Sequence, residues 1–434
     1  MLIAQTLAAQ VVSRVLAGRT LDYSLGQTWS RNPDIVAQEK ALVQELCYGT
    51  LRHLGPLRAT VRKLLTRPAA DPQLEALLWV ALYQLRYSGA PPHAVVDHAV
   101  DAATRLQVTS AKGLVNAVLR FYLRNRSTID TEPPATDEAR YSHPQWWVDL
   151  ARNEYPHDWA RMMDASNTRP PLTLRINKRK SMRDGELRNF IDAGIACRAI
   201  GADGIIVEDP RNVLALPGFA DGRVSVQDAG AQLAQPFLGA EDGMRVLDAC
   251  AAPGGKTMHI LEHTRCELVA LDRDSRRLGK IWENLARLGL SATTRQADAT
   301  NIKAWWDGKP FDRVLLDVPC TASGVMRRHP DGKWLRRAGD IAQFAQQQHR
   351  LLDALWEVVK PGGRMLYTTC SIFSQENEVP VADFLSGHPD ALRRSLPWPP
   401  GLRRHGEGQL LPADGAGEDN HDGFFYALVE KRGG

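Results

Sequence analysis

The sequence predicts a multidomain protein: an all-α N-terminal domain, a small α+β middle module, and a C-terminal α/β domain with a mostly parallel sheet. Three observations carry this reading. The chain has 434 residues, enough for about three domains with separate cores. Residues 1–126 place apolar side chains at helical spacing. From residue 236 onward, short apolar runs alternate with amphipathic stretches, the pattern of a parallel sheet covered by helices on both faces.

The first domain is expected over residues 1–130. Leu74, Leu77, Leu78 and Leu82 recur at i, i+3, i+4 and i+8, and Val95, Val96, Ala99, Val100 and Ala103 repeat the pattern. Gly49, Gly55 and Gly89-Ala90-Pro91-Pro92 are read as punctuation between helices. The last helix leads into Arg124 and Arg126, which either meet phosphate or simply complement a helix C-terminus. Residues 127–140 contain Pro133-Pro134 and no periodicity, and are read as a linker. The middle module is expected over 141–235, with strands at 172–176 and 204–207 and a helix at 184–193. Its Arg175, Lys178, Arg179, Lys180 and Arg183 are read as one basic surface for a phosphate backbone.

In the third domain, over 236–434, strands are expected at 245–249, 268–272, 293–297, 311–317 and 364–369. Helices are expected near 255–264, 274–289 and 340–360, with a late antiparallel edge strand at 424–429. Ligands of such sheets sit beyond the strand C-terminal ends, where Asp248, Asp272, Asp298, Asp317 and Cys370 all fall.

Composition is that of an ordinary globular protein, and the net charge of +4 is unremarkable. Its distribution says more: residues 1–126 hold 15 Lys/Arg against 8 Asp/Glu, a net +7, leaving −3 for the rest. A basic N-terminal region suits a polyanion partner. No apolar stretch approaches the roughly 20 residues that span a bilayer, and no signal pattern opens the chain, so a cytoplasmic protein without a membrane partner is expected. The six cysteines, Cys47, Cys197, Cys250, Cys266, Cys320 and Cys370, include no CxxC pair. Neither a zinc site nor disulfides are expected, and no metal.

The most informative stretch is Asp248-Ala249-Cys250-Ala251-Ala252-Pro253-Gly254-Gly255-Lys256-Thr257. It reads as a strand end, a glycine turn and a helix start, a place where ligand approaches backbone. It is neither GxGxxG nor GxxxxGK[ST], so neither a dinucleotide nor a P-loop is indicated. Asp272 ends the next strand about 20 residues on, where a carboxylate takes ribose hydroxyls. Asp298 either accepts from an adenine amino group or caps a helix, and Lys256 balances a cofactor carboxylate or is simply exposed. Two cysteines follow at later strand ends, in Asp317-Val318-Pro319-Cys320 and Thr368-Thr369-Cys370-Ser371. A nucleoside cofactor beside two placed thiols suggests methyl transfer to a pyrimidine carbon, because a thiolate adding at carbon 6 makes carbon 5 nucleophilic. The hydroxyls of Thr369 and Ser371 are expected to donate to that thiolate, and Asp317 to hold the base at its N3 edge. Chemistry alone does not decide which thiol attacks.

In order and spacing these motifs resemble the RNA (cytosine-5) methyltransferases. Arg327-Arg328-His329-Pro330-Asp331 with Lys333-Trp334-Leu335-Arg336 resembles the bacterial branch acting on small-subunit (16S) ribosomal RNA. Tyr48-Gly49-Thr50-Leu51-Arg52 and the 115–120 stretch resemble a helical NusB-like RNA-binding domain, and the 170–177 and 226–228 stretches resemble the family's middle region. The resemblance implies a Rossmann-like catalytic domain using S-adenosyl-L-methionine, small-subunit ribosomal RNA as partner, and a monomer. It assigns attack to Cys370 and release to Cys320. It assigns the cofactor to Cys250, Ala251, Ala252, Pro253, Gly254, Gly255, Lys256, Asp272, Asp298 and Asp317. Val318 stands where many relatives carry alanine. Arg327, Arg328 and Trp334 are expected to flank an unstacked base. Transfer RNA as substrate and a non-catalytic RNA-binding assembly factor are the alternatives.

Overall fold

Apolar periodicity divides the chain as the sequence suggests, helical first and alternating later. The computed structural model describes residues 1–69, 71–209, 211–415 and 420–433. They form two compact units: Met1–Asn167 with Met326–Ala338, and Thr168–Val325 with Gly339–Gly434.

The first unit is helical. Its core is built by helices Leu2–Leu16, Ala37–Arg52, Pro72–Tyr87, Pro92–Arg105 and Lys112–Arg124, and Leu74, Leu77, Leu78, Leu82, Val95, Val96, Ala99 and Ala103 are all buried in it. Gly49 does not break a helix. It lies within Ala37–Arg52, where a Cβ would meet the Tyr83 ring at 1.9 Å, so it permits a close helix crossing. Gly55 likewise lies within Leu54–Leu64, against the Glu138 carbonyl. The expected linker is largely helical, with Arg126–Thr131 and Asp137–Tyr141. Thr136 caps the second of these through a 3.1 Å bond from the Ala139 amide. Arg126 pairs with Asp130 at 3.3 Å. Residues 141–167, expected to open the middle module, form helices Gln145–Glu154 and Trp159–Ala165 and cluster with the helical unit.

The RRHPD-KWLR segment also belongs here, and this corrects its expected role. Arg327 is buried, and its carbonyl accepts from Arg52 at 2.9 Å. Lys333 is fully buried, donating to the Arg52 carbonyl at 2.9 Å and Asn167 Oδ1 at 2.7 Å. Burial and the neighbouring Arg52 hold its ammonium well below the ordinary lysine range. Trp334 packs on the helical core and donates its indole N–H to the Leu51 carbonyl at 2.8 Å. Asp331 accepts from the Leu21 amide at 2.9 Å, capping helix Leu21–Arg31 from 310 residues away. These side chains complete the helical unit rather than form an open stacking surface.

In the second unit a small antiparallel sheet, β1 (Leu172–Ile176), β2 (Cys197–Ile200), β3 (Gly204–Val207) and β4 (Val224–Val226), runs in the order β2-β3-β1-β4. Helix Arg183–Asp192 seals it through Phe190. The proposed basic surface is mostly engaged by the protein itself. Arg175, 1% exposed, forms a two-pronged pair with Glu262 at 2.8 Å and also donates to Gln227 and the Gly255 carbonyl. Lys178 pairs with Asp203, and Arg179, Lys180 and Arg183 donate to backbone carbonyls.

The larger sheet comprises β5 (Arg245–Ala249), β6 (Glu267–Asp272), β7 (Thr293–Gln296), β8 (Phe311–Asp317), β9 (Val359–Thr369), β10 (Ala391–Arg394), β11 (Gln409–Leu410) and β14 (Phe424–Lys431). A separate short pair is β12 (Ala413–Asp414) and β13 (Asn420–His421). The order is β10-β14-β9-β8-β5-β6-β7, parallel from β9 to β7. β14 is antiparallel as expected, but it is not the edge, because β10 pairs outside it. Strand alternation divides the core in two. Leu247, Val269, Leu271, Val314, Leu316, Met365 and Tyr367 face helices Ala338–Trp356 and Glu378–Gly387. Val246, Leu268, Ala270, Leu315 and Leu366 face helices Gly255–His263 and Ser275–Leu288. Among the described residues no helix is long and apolar enough to cross a membrane.

The Asp331 contact is testable. Asp331→Ala removes a cap worth about 1 kcal/mol, so amides of helix Leu21–Arg31 are expected to exchange about fivefold faster by hydrogen-exchange mass spectrometry. Unchanged protection would show that the cap does not hold this helix.

Candidate active site

Strand order reverses beside β5, which has β6 on one side and β8 on the other. Loops leaving such strands diverge and open a cleft at their C-terminal ends. Here a cavity of about 250 Å³ is lined by Cys250, Ala252, Asp272, Asp298, Asp317, Cys320 and Cys370, with Arg273, Arg277 and Gln347 at its sides. The structure therefore brings together both thiols and three of the carboxylates singled out in the sequence. Asp248 stays behind the cavity.

The turn after β5 is held from several directions. Cys250 adopts a left-handed φ of +65°, and Gly254 one of +98°, where a side chain is strained and would press on Ile281 and Met258. The Ala252–Pro253 bond is cis. The Ala251 amide donates to the Leu271 carbonyl at 2.7 Å, and the Ala252 amide to Asp272 Oδ2 at 3.1 Å. Arg277 donates to the Ala252 carbonyl and lies 3.6 Å from Asp272. Asp272 also accepts from the Asp274 amide at 2.9 Å. A carboxylate has about four lone-pair sites, so these contacts leave acceptor capacity on the wall of the cavity. Pro253 and Gly255 are exposed; from the turn, Cys250 and Ala252 reach the cavity. Burial, reinforced by the Asp317 and Asp272 carboxylates, pushes the Cys250 thiol up to about 12.

Lys256 does not stand exposed for a ligand carboxylate. Its ammonium lies 2.7 Å from Asp317 Oδ2. Burial alone would lower it, but Asp317 outweighs burial and raises it, so it stays charged. The pair offers a ligand both an acceptor and donors. Asp298 is exposed and accepts from the Thr300 amide at 2.9 Å and hydroxyl at 2.7 Å, which hold its carboxyl below the ordinary range. Asn301, not Asp298, precedes the next helix turn.

The two cysteine loops meet. Cys320 Sγ lies 3.4 Å from Cys370 Sγ. Cys320 is the more buried, and its hydrogen bond with Cys370, together with burial, raises its thiol well above the ordinary range. The contact is that of a thiol hydrogen bond, in which either sulfur can be the donor. The expected help from the flanking hydroxyls does not occur. Thr369 donates to Asn377 Oδ1 at 2.5 Å and Ser371 to Glu376 Oε2 at 2.6 Å.

Glu376 was not singled out in the sequence. Fully buried, it accepts from the Thr321 amide at 2.7 Å and the Thr321 hydroxyl at 2.5 Å as well as from Ser371. It thereby clamps the residue after each cysteine. Ser323 bonds Ser371 at 2.9 Å and accepts from the Ile372 amide at 2.8 Å. Gly324 crosses Gly423 so closely that a Cβ would sit 2.3 Å from its carbonyl oxygen. A glutamate six residues after Cys370, with hydroxyl residues following both cysteines, was the signal available. Val318 is buried against the sheet, and its amide donates to the Thr368 carbonyl at 3.1 Å, so the bulkier side chain is accommodated.

Comparison with known proteins fits this geometry. The description "16S rRNA methyltransferase RsmB/F" matches residues 236–430, the NusB family residues 2–124, and the RsmF/B-like ferredoxin-like domain residues 143–214. Ribosomal RNA small subunit methyltransferase B of Salmonella paratyphi C (strain RKS4594) is 43% identical over 436 residues, covering 99% of this chain and 98% of the relative. The protein of the same name from Vibrio cholerae serotype O1 is 44% identical over 401 residues, covering 91% and 90%. The crystal structure of PH0851 shares the fold, with a TM-score of 0.79 at 24% identity and 99% of each chain covered. Sheet order, glycine turn and acid-tipped strands define a Rossmann-like methyltransferase domain, joined here to a NusB-type helical domain and a ferredoxin-like module. The chain belongs to the RsmB/F family of 16S ribosomal RNA methyltransferases, enzymes that methylate RNA of the small ribosomal subunit.

Asp248 yields a pH prediction. Burial pushes its carboxyl from 3.8 up to about 7, against the opposing hydrogen bond from Thr257. Folded protein then holds a proton that unfolded chain has lost. Stability falls as pH rises from about 4 to 7 and levels off above, by a few kcal/mol at most. Asp248→Asn keeps the acceptor for Thr257 and has no proton to lose. Its stability relative to wild type is expected to climb across that window in denaturant titrations. A pH-independent difference would mean that Asp248 is ionised in the fold.

Proposed function

We propose that the protein transfers the methyl group of S-adenosyl-L-methionine to carbon 5 of a cytosine in 16S ribosomal RNA, through a covalent bond between Cys370 and the base. The observation that carries this reading is the 3.4 Å contact of two thiols at the edge of an acid-lined cavity. A single thiol suffices for addition; a second beside it has a purpose when the adduct must also be expelled.

The cavity suits the cofactor. Asp272, near the glycine turn, has acceptor capacity for two ribose hydroxyls, and Asp298 for an adenine amino group. Bound there, S-adenosyl-L-methionine supplies an electrophilic methyl group. The chain's residues do the rest. The cytosine leaves its stack to enter the cleft. Asp317 accepts from its exocyclic amino group, and the Lys256 ammonium beside it donates to the N3 edge, drawing electrons from carbon 6. Cys370 loses its proton to solvent and adds to carbon 6, forming the S–C6 bond and leaving electron density on carbon 5 to take the methyl group. The Cys320 S–H donates to the Cys370 sulfur as it departs, stabilising it as a thiolate leaving group. At release the carbon-5 proton passes to water, the S–C6 bond breaks with its electrons returning to Cys370, and aromaticity is restored.

The decisive experiment incubates the protein with methyl-labelled S-adenosyl-L-methionine and unmodified 16S ribosomal RNA, with Cys370→Ala and Cys320→Ala in parallel. Nucleosides are identified by mass and adducts by denaturing gel. We expect labelled 5-methylcytosine with wild type, none with Cys370→Ala, and an RNA adduct accumulating with Cys320→Ala. An adduct in Cys370→Ala instead would reverse the two roles. Label only in transfer RNA would replace the substrate, and RNA binding without cofactor binding would favour an assembly factor.

RNA affinity is expected to depend strongly on salt, because the basic helical domain would hold phosphates. Filter binding between about 50 and 200 mM salt is expected to show a steep loss; a flat affinity would remove phosphate contact from the proposal.

A further inference from the structure

The helix that begins with the cofactor turn carries a second cluster near its end. Among the described residues, Asp203, His259 and His263 bring one carboxylate oxygen and two ring nitrogens within 4.8 Å of one another. The histidines are one turn apart on helix Gly255–His263, on the same face. Asp203 comes from the turn joining β2 to β3.

Two observations bear on what this cluster can hold. His259 is 2% exposed, and neither ring nitrogen has a hydrogen-bond partner. Buried polar atoms are rarely left so. The second observation concerns His263. Its Nδ1 lies 3.0 Å from the His259 carbonyl oxygen and so carries hydrogen. Its Nε2 then faces Asp203 Oδ2 at 3.2 Å. Two acceptors at that spacing require a proton or a metal ion between them. A tetrahedral ion with arms of about 2.0 Å sets its ligands about 3.3 Å apart.

We propose that Asp203, His259 and His263 form a binding site for a zinc-like divalent transition metal, with water as fourth ligand. The expectation of no metal rested on cysteine spacing, and this site uses no cysteine. Lys178 Nζ now lies 2.8 Å from the same Asp203 oxygen. Its side chain is 47% exposed on a flexible stem, so it can swing into solvent as a metal ion takes its place. The ion would staple the β2–β3 turn to the helix that bears Lys256 and Thr257. The small module would thereby be fixed to the element that organises the cofactor turn.

The test titrates chelator-treated full-length protein with Co(II), read by visible absorption. We expect one equivalent bound, with the comparatively intense visible d–d bands of a four-coordinate ion and no near-ultraviolet sulfur-to-metal charge transfer. That transition would appear if Cys320 and Cys370 took the ion instead. His263→Ala and Asp203→Asn, both at partly exposed positions and checked for folding by circular dichroism, are expected to bind about tenfold more weakly or worse. Lys178→Ala is expected to bind several-fold more tightly. Absence of a saturable equivalent, undiminished affinity in both ligand variants, or a thiolate spectrum would overturn the site and leave His263 and Asp203 as a proton-bridged pair.

Discussion

The separation of the two sulfur atoms depends on how β8 and β9 lie together. They are parallel neighbours with Asp317 opposite Thr368, so the loops leaving both strands begin at one level. Parallel pairing alone does not keep those loops together, since each must turn away toward its own crossover. Glu376 supplies the missing constraint. One buried carboxylate accepts from Thr321 after the first cysteine and from Ser371 after the second, and Asn377 ties the same loop to Thr369 and Gln409. A network this buried is favourable only when its members are satisfied together. Its presence explains why hydroxyls that look available in the sequence are not free to assist a thiolate.

The proposed division of labour between the thiols rests on the same geometry. Two thiols at van der Waals distance do not ionise together. Burial and the neighbouring sulfur push the Cys320 thiol up, and Cys370 is the sulfur closer to solvent. The sequence alone offered two equivalent candidates; depth in the fold separates them. This asymmetry supports the assignment that the family resemblance implies, and it does so by a physical route independent of that resemblance.

What could be read from the sequence was periodic or local. The parallel strands were legible because strict alternation fills two cores at once, as Val314, Leu315 and Leu316 do on β8. The glycine turn and the aspartates at strand ends were legible because their signals lie within a few residues of one another. The failures share a cause, which is partners distant in sequence. Gly49 reads as a helix breaker until Tyr83 is set against it. Arg175 reads as an RNA contact until Glu262, 87 residues away, closes on it. Basic residues have the same one-letter identity whether they meet phosphate, a carboxylate or a carbonyl oxygen.

The RRHPD-KWLR segment sharpens that point. It lies in the chain between β8 and helix Ala338–Trp356 of the catalytic unit, yet its side chains complete the helical one. Burying Lys333 is costly unless its donors are met, and they are met by the Arg52 carbonyl and Asn167. A fully buried lysine adds little net stability over a well-packed apolar side chain. Its consequence is specificity, because a different seating of the segment would leave buried donors unmet. A segment with two adjacent arginines and a tryptophan is the composition expected of an RNA-binding loop. Here Arg327, Lys333 and Trp334 are engaged within the helical unit itself.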